Sequence, residues 1–294
     1  MKIGAVFPHQ EIGSDPIVLR DWAQAAEELG YGHLLVYDHV LGAVHEHREP
    51  KLWGPYTEHD AFHEPMVLFG YFAACTRRVE LVTGILILPQ RQTVLAAKQA
   101  AQVDLLSGGR LRLGIGTGWN YVEYDSLNED FRTRGRRQEE QVDLMRRLWA
   151  EPVLDYHGAY HRVDRAGFKP LPGRQIPIWF GGFAPVAFHR AARLGDGFIF
   201  GAGFEQNREA LGQVRTALDE VGRSADTFGI EALVNFQAGP EARRAEAEAW
   251  HQEGADYIAM RAMALRGQGD GLNSPQAHID ALQTYWDEVG DLAS

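Results

Sequence analysis

Along this chain the apolar residues switch repeatedly between short continuous runs and helical spacing, and that alternation limits the folds open to it. Short apolar runs at residues 3–7, 33–37, 80–88, 110–116, 176–180, 197–200, 228–236 and 255–260 read as eight strands. Most are continuous, as expected of parallel strands covered on both faces. Helical stretches fill the gaps. Asp15-Pro16 reads as a cap and first-turn proline, followed by Leu19, Trp22, Ala26 and Leu29 at helical spacing, with Gly30 as the stop. Val94, Lys98, Ala101 and Leu105 run to Ser107-Gly108-Gly109. Val142, Met145 and Trp149 mark another helix before Pro152, and Ile279, Leu282, Trp286 and Val289 mark one near the end.

Strands alternating with helices predict an α/β fold, and topology favours a closed eight-fold (TIM) barrel over an open doubly wound sheet with the same local pattern. The length of 294 residues suits one barrel domain over residues 1–294, against about 250 for the type. Two stretches exceed ordinary loops: residues 38–63 after strand two and 151–175 after strand four. In the second, residues 156–160 read as a hairpin turn.

The formal charge of −11 argues against nucleic acid, whose phosphates demand clustered basic residues. The one basic cluster, Arg132, Arg134, Arg136 and Arg137, reads as a solvated helix face pairing with Glu139 and Glu140. No apolar run approaches the roughly 18 residues of a membrane span, and the N-terminus lacks the pattern of a signal peptide. Cys75 is the only cysteine, so no intrachain disulfide can form and a reducing cytoplasm is the expected setting. It reads as a small buried filler among Phe69, Phe72 and Ala74.

Barrel chemistry gathers at the C-terminal strand ends. That rule selects Phe7-Pro8-His9, Tyr37-Asp38-His39, Thr83-Gly84-Ile85, the run from Gly114 to Asn120, Gly181-Gly182-Phe183 and Phe200-Gly201. An imidazole at His39 can relay a proton near neutral pH, although an Asp-His pair also makes an ordinary turn. Gly114 and Gly116 fit GxG, but the sixth position is Trp119, so the dinucleotide fingerprint fails. Close approach of the backbone to a ligand or to a neighbouring strand accounts better for these glycines. Gly181-Gly182 precedes a helix start that either binds phosphate or simply turns tightly. His39, His45, His47, His59 and His63 share one loop region, yet no HExxH or cysteine set accompanies them, so no metal is expected.

Taken in order, VYDHVLG, VELVTGILILPQRQTVLAAKQAAQVDLLSGGRLRLGIGTGWNYVEY, RGRRQEEQVDLMRRLW, HGAYHRV and PIWFGGFAPVAFHRAARLGDGFIF resemble the luciferase-like monooxygenase and oxidoreductase superfamily. GWNYVEY and the short insertions look most like its deazaflavin branch, which uses coenzyme F420. The resemblance implies an eight-fold barrel and a homodimer. It implies a cofactor held by Asp38, His39, Gly84, Ile85, Gly116, Thr117, Gly118, Asn120, Gly181, Gly182, Phe183 and Gly201, with His39 as the catalytic residue and a non-proline cis peptide at Gly84-Ile85. Sugar-phosphate dehydrogenases of the branch carry an acid where this chain has Trp119. A substrate pocket of Phe7, Trp53 and Trp119 therefore points to a small apolar organic substrate. The expected function is hydride transfer between F420 and that substrate. An FMN-dependent monooxygenase using reduced flavin and oxygen, a non-catalytic flavin-binding barrel and a metal-dependent hydrolase stand as alternatives.

Overall fold

The computed structural model describes residues 1–264 and 271–293. Its elements run β1 (Lys2–Val6), α1 (Pro16–Leu29), β2 (His33–Val36), α2 (Pro65–Cys75), β3 (Glu80–Thr83), β4 (Leu86–Ile87), α3 (Thr93–Ser107) and β5 (Leu111–Gly116). Then come α4 (Tyr121–Ser126), α5 (Arg134–Ala150), the hairpin β6 (Leu154–His157) and β7 (Arg162–Ala166), β8 (Ile178–Gly181) and α6 (Pro185–Leu194). The last third holds β9 (Gly197–Phe200), α7 (Phe204–Glu220), β10 (Gly229–Asn235), α8 (Pro240–Gln252), β11 (Tyr257–Arg261) and α9 (Pro275–Val289).

The parallel strands follow the order β3-β2-β1-β11-β10-β9-β8-β5-β4, and a further β3–β5 pairing closes the ring. The expected third strand is split into β3 and β4 by a cis peptide at Gly84-Ile85, so the ring has eight strand positions. The barrel is therefore closed. Local signals act as read: Asp15 caps α1 by accepting from Ile17 N, and Gly30, at φ 106°, ends it in the left-handed region that favours glycine. The loop after β2 carries neither helix nor strand, whereas the insertion after α5 holds the β6–β7 hairpin, with Gly158 N–H donating to His161 O across the turn.

Alternation along each strand divides the core in two. On β1, Ile3 and Ala5 face the helices while Val6 faces the barrel axis with Leu35, Val82, Ile199 and Leu233. Phe7 belongs to the outer face, packed on Trp22 and Phe72. At the N-terminal end the barrel is plugged by charge. His33 Nε2 lies 2.6 Å from Glu231 Oε1, Arg112 pairs with Glu231 and reaches Glu80, and its guanidinium stacks over Trp179 and Tyr257. Burial pushes the Glu231 carboxyl up, but Arg112 and His33 outweigh it and hold its pKa at about 2.

Two surface readings change. Arg137 is buried and pairs with Glu129, Arg134 stacks on Phe131, and Glu139 pairs with Arg190 and Arg193 on α6. Glu140 instead accepts from the backbone N–H groups of residues 159–161 and from His161, pinning the hairpin turn. Arg134 and Arg137 are thus part of the packing around α5, whereas Arg132 and Arg136 remain exposed, as expected of a solvated face. Cys75 is half-buried at the end of α2. No helix among the described residues is long and apolar enough to cross a membrane.

The floor network makes a measurable demand. Arg112→Met leaves the Glu231 carboxylate buried beside His33 alone and should cost about 3–5 kcal/mol in urea unfolding. Because the folded pKa is depressed, the contribution of Glu231 is fully present above the unfolded value near ~4.3 and is lost as pH falls toward about 2. Acid titration of Glu231→Gln should show a shallower fall in Tm over that window than the parent chain.

Candidate active site

The C-terminal strand ends open into a cleft of about 350 Å³. Of the residues singled out in the sequence, Asp38, His39, Gly84, Ile85, Gly116, Thr117, Gly118, Trp119, Gly181, Gly182, Phe183 and Gly201 line it. Tyr37, Pro55, Tyr56, Ile87, Ile199, Leu233 and Arg261 complete the wall. Three expected residues lie elsewhere. Phe7 is on the outer face of β1, one position out of phase with the axis-facing residues. Trp53 is 71% exposed on the loop surface, beneath the Lys51 ammonium at 3.8 Å. Asn120 spends its side chain on the backbone, capping α4 through Val122 N and donating to Leu41 O.

The middle of the cleft is built around Ile85. A Cβ on Gly116 would stand 2.4 Å from the Ile85 side chain, and one on Gly181 would stand 2.7 Å from it. Glycine at both places makes the slot that receives this side chain. One step earlier, a Cβ on Gly114 would meet Thr83 O at 2.0 Å, where Thr83 Oγ1 also donates to Gly114 O. These glycines make the close approach of neighbouring strand and bulge that the sequence allowed for.

Asp38 and His39 diverge in their partners. The Asp38 carboxylate accepts from Ile87 N at 2.8 Å and pairs with Arg91 at 2.7 Å, so it ties the end of β2 to β4. Burial opposes the Arg91 charge, but Asp38 and Glu64 more than compensate and raise its pKa. His39 Nδ1 lies 3.0 Å from Oε2 of Glu123, a fully buried residue of α4, and Nε2 has no hydrogen-bond partner among the described residues. Around the imidazole stand Tyr56, Phe62 and Trp119, with ring centroids 4.9–5.5 Å away. The Trp119 ring is itself covered by the loop at Gly54.

Neighbouring groups are held uncharged. Burial raises the phenol pKa of both Tyr37 and Tyr56, only partly relieved by Arg261, which hydrogen-bonds Tyr37. His9, beneath Tyr37, accepts from Tyr37 N at 3.0 Å. Burial, with His63 and His39 nearby, holds its pKa down at about 3. The loop histidines do not assemble: no group of three or more His, Cys, Asp or Glu able to hold a metal occurs among the described residues. Sequence reasoning missed Glu123 and Arg261. GWNYVEY contains Glu123, but nothing local connects it to His39, and Arg261 lies one residue past the end of the expected eighth strand.

At the cleft edge α6 begins after Gly181-Gly182-Phe183 with no side-chain cap. The next helix differs, since Glu246 accepts from its first amide, Phe204 N. A helix start of the α6 kind favours an anion.

Comparison with known proteins agrees with this architecture. The family described as luciferase-like monooxygenase matches residues 1–292. An uncharacterized protein of Mycobacterium tuberculosis is 30% identical over 228 residues, covering 74% of this chain and 77% of the relative. The F420-dependent glucose-6-phosphate dehydrogenase of Nakamurella multipartita is 28% identical over 306 residues, covering 92% and 84%. Among solved structures, the monooxygenase RslO1 from Streptomyces bottropensis superposes with a TM-score of 0.80 at 19% identity, over 99% of each chain. An F420-dependent secondary alcohol dehydrogenase, solved with an F420-acetone adduct, gives 0.79 at 16% identity over 100% and 99%.

The slot geometry separates two substitutions. Gly114→Ala sets a methyl against backbone and should destabilise by about 3 kcal/mol or block folding. Gly116→Ala meets the Ile85 side chain first and backbone only at 3.3 Å, at Gly181 O, and should cost less, about 1 kcal/mol. Urea midpoints of the two variants check the order.

Proposed function

This chain belongs to the luciferase-like monooxygenase family, and from that premise we propose that it is an oxidoreductase using coenzyme F420 on a small organic substrate. The observation that carries this reading is the His39 imidazole, presented with a free Nε2 to a largely apolar strand-end cleft. The relatives named F420-dependent glucose-6-phosphate dehydrogenase support the cofactor.

The residues present fit such a group. The bulge at Gly84-Ile85 and the walls of Gly116, Gly118 and Gly181 offer a face built largely of backbone around Ile85 and Ile87, and the uncapped start of α6 suits its phosphate. Bound F420 supplies a ring carbon that gives or accepts a hydride. The protein supplies placement and proton handling: His39 Nε2 exchanges a proton with a substrate oxygen, while Trp119, Tyr56, Leu233 and Ile199 exclude water from the reacting face. Trp119 in place of an acid favours an apolar substrate over a sugar phosphate, and Arg261 and Tyr37 are the polar groups available to orient it.

Titration with F420 and with FMN, each followed by fluorescence, tests the cofactor. F420 should bind and FMN only weakly, whereas binding of FMN alone would overturn the reading. With F420, an alcohol panel including 2-propanol and cyclohexanol, beside glucose 6-phosphate, should show turnover on the apolar members. His39→Ala should lower kcat about 100-fold or more while leaving F420 affinity within a few-fold.

The family resemblance also led us to expect a homodimer, and one surface favours it. Both α2 and α3 carry apolar residues on all sides, and Val67, Leu95 and Leu106 are more than half exposed. Helices of that kind are normally covered. The proposed dimer should run as two copies by light scattering, and Leu106→Glu should shift it toward one.

A further inference from the structure

We infer that Glu123 is a positioning residue that sets which nitrogen of His39 carries the proton, and so prepares the resting enzyme to remove a proton from substrate. This deepens the reading of His39 as the group facing substrate and rests on it. Glu123 is fully buried, and two backbone N–H donors and the His39 Nδ1 converge on its side chain. Val40 N reaches Oε1 at 2.5 Å, Leu41 N reaches Oε1 at 3.2 Å, and His39 Nδ1 reaches Oε2 at 3.0 Å. An ionised carboxylate only accepts, so it matches this set with all three contacts as N–H donors. Glu123 also lies in the first turn of α4, where the helix end favours negative charge.

The consequence for His39 follows from the chemistry of imidazole. A neutral ring carries one proton, and the hydrogen bond made by one nitrogen decides the state of the other. With Nδ1–H given to Glu123, Nε2 presents a lone pair to the cleft. An alcohol oxidised there loses a hydride from carbon to the oxidised deazaflavin and a proton from oxygen to Nε2. The O–H electron pair becomes the second bond of the carbonyl, and Glu123 balances the imidazolium that results. A carboxylate in this place does for His39 what an orienting carboxylate does in other histidine bases: it selects the tautomer and fixes the ring.

Three elements must meet for this contact. His39 and Val40 follow β2, Glu123 lies on α4 after β5, and Asn120 holds the same loop by donating to Leu41 O. The loop after β2 is therefore hung on α4 by its backbone as well as by the imidazole.

Long-range proton–nitrogen NMR on the full chain with labelled histidine tests the assignment, the His39 signals being identified by their loss in His39→Gln. In the parent chain Nδ1 should be the protonated nitrogen and Nε2 the bare one. In Glu123→Gln, whose amide offers a donor as well as an acceptor, the Nδ1–H form should lose its dominance. A parent ring protonated at Nε2, or a folded Glu123→Gln with an unchanged tautomer, would overturn the inference. Should Glu123→Gln not fold, the parent spectrum still decides. The measurement needs no cofactor, so failure of the F420 reading and failure of the Glu123 role remain separate results.

Discussion

The barrel closes at one seam, between β3 and β5, and the geometry of the cleft depends on how that seam is made. Two β3 residues pair with β5 before the ladder is interrupted at Gly84-Ile85 and resumes on β4. Gly114 lets the two strands meet, since any side chain there would strike Thr83 O. Gly116 and Gly181 then leave room for Ile85, and Asp38 anchors the far side by accepting from Ile87 N. A side chain in the seam would thus disturb closure and site together, because the bulge that ends the ladder is also a wall of the cleft.

The two ends of the barrel use buried polarity in opposite ways. At the floor, Glu231, Arg112, Glu80 and Lys2 form one chain of ion pairs, which His33 joins by a hydrogen bond to Glu231, with aromatic rings covering the guanidinium. Such a network fills the barrel without offering a reactive group. At the mouth, Asp38, Arg91 and Glu123 are likewise committed to partners, yet they leave Nε2 of His39 directed at an apolar space. An imidazole nitrogen and the Arg261 guanidinium, among phenols and aliphatic walls, are the polar chemistry this end provides.

Much of this was legible from the order of residues. Asp15, Pro16 and Gly30 delimit α1 by local rules, and continuous apolar strands required cover on both faces. The strand-end rule brought His39, Trp119 and the glycines to one cleft. It failed where parity or a loop decided. Phe7 ends its strand one step out of phase and Asn120 is consumed in capping, while Trp53, expected in the substrate pocket on other grounds, lies on a loop with no strand to aim it. The expected pairing of Arg137 with its own helix was displaced by Glu129, since burial of that face makes a cross-element partner the better one.

By itself the sequence determined the alternation of elements, their caps and the family, because these depend on contacts within a few residues or on an ordered set of motifs. Only the tertiary structure decided that the ring is closed, that Asp38 serves Arg91 and Ile87, and that His39 answers to Glu123, 84 positions away. The physical reason is that a hydrogen bond between distant side chains depends on strand register and loop path. Neither leaves a periodic mark in the sequence, and both are set by the packing of the whole barrel.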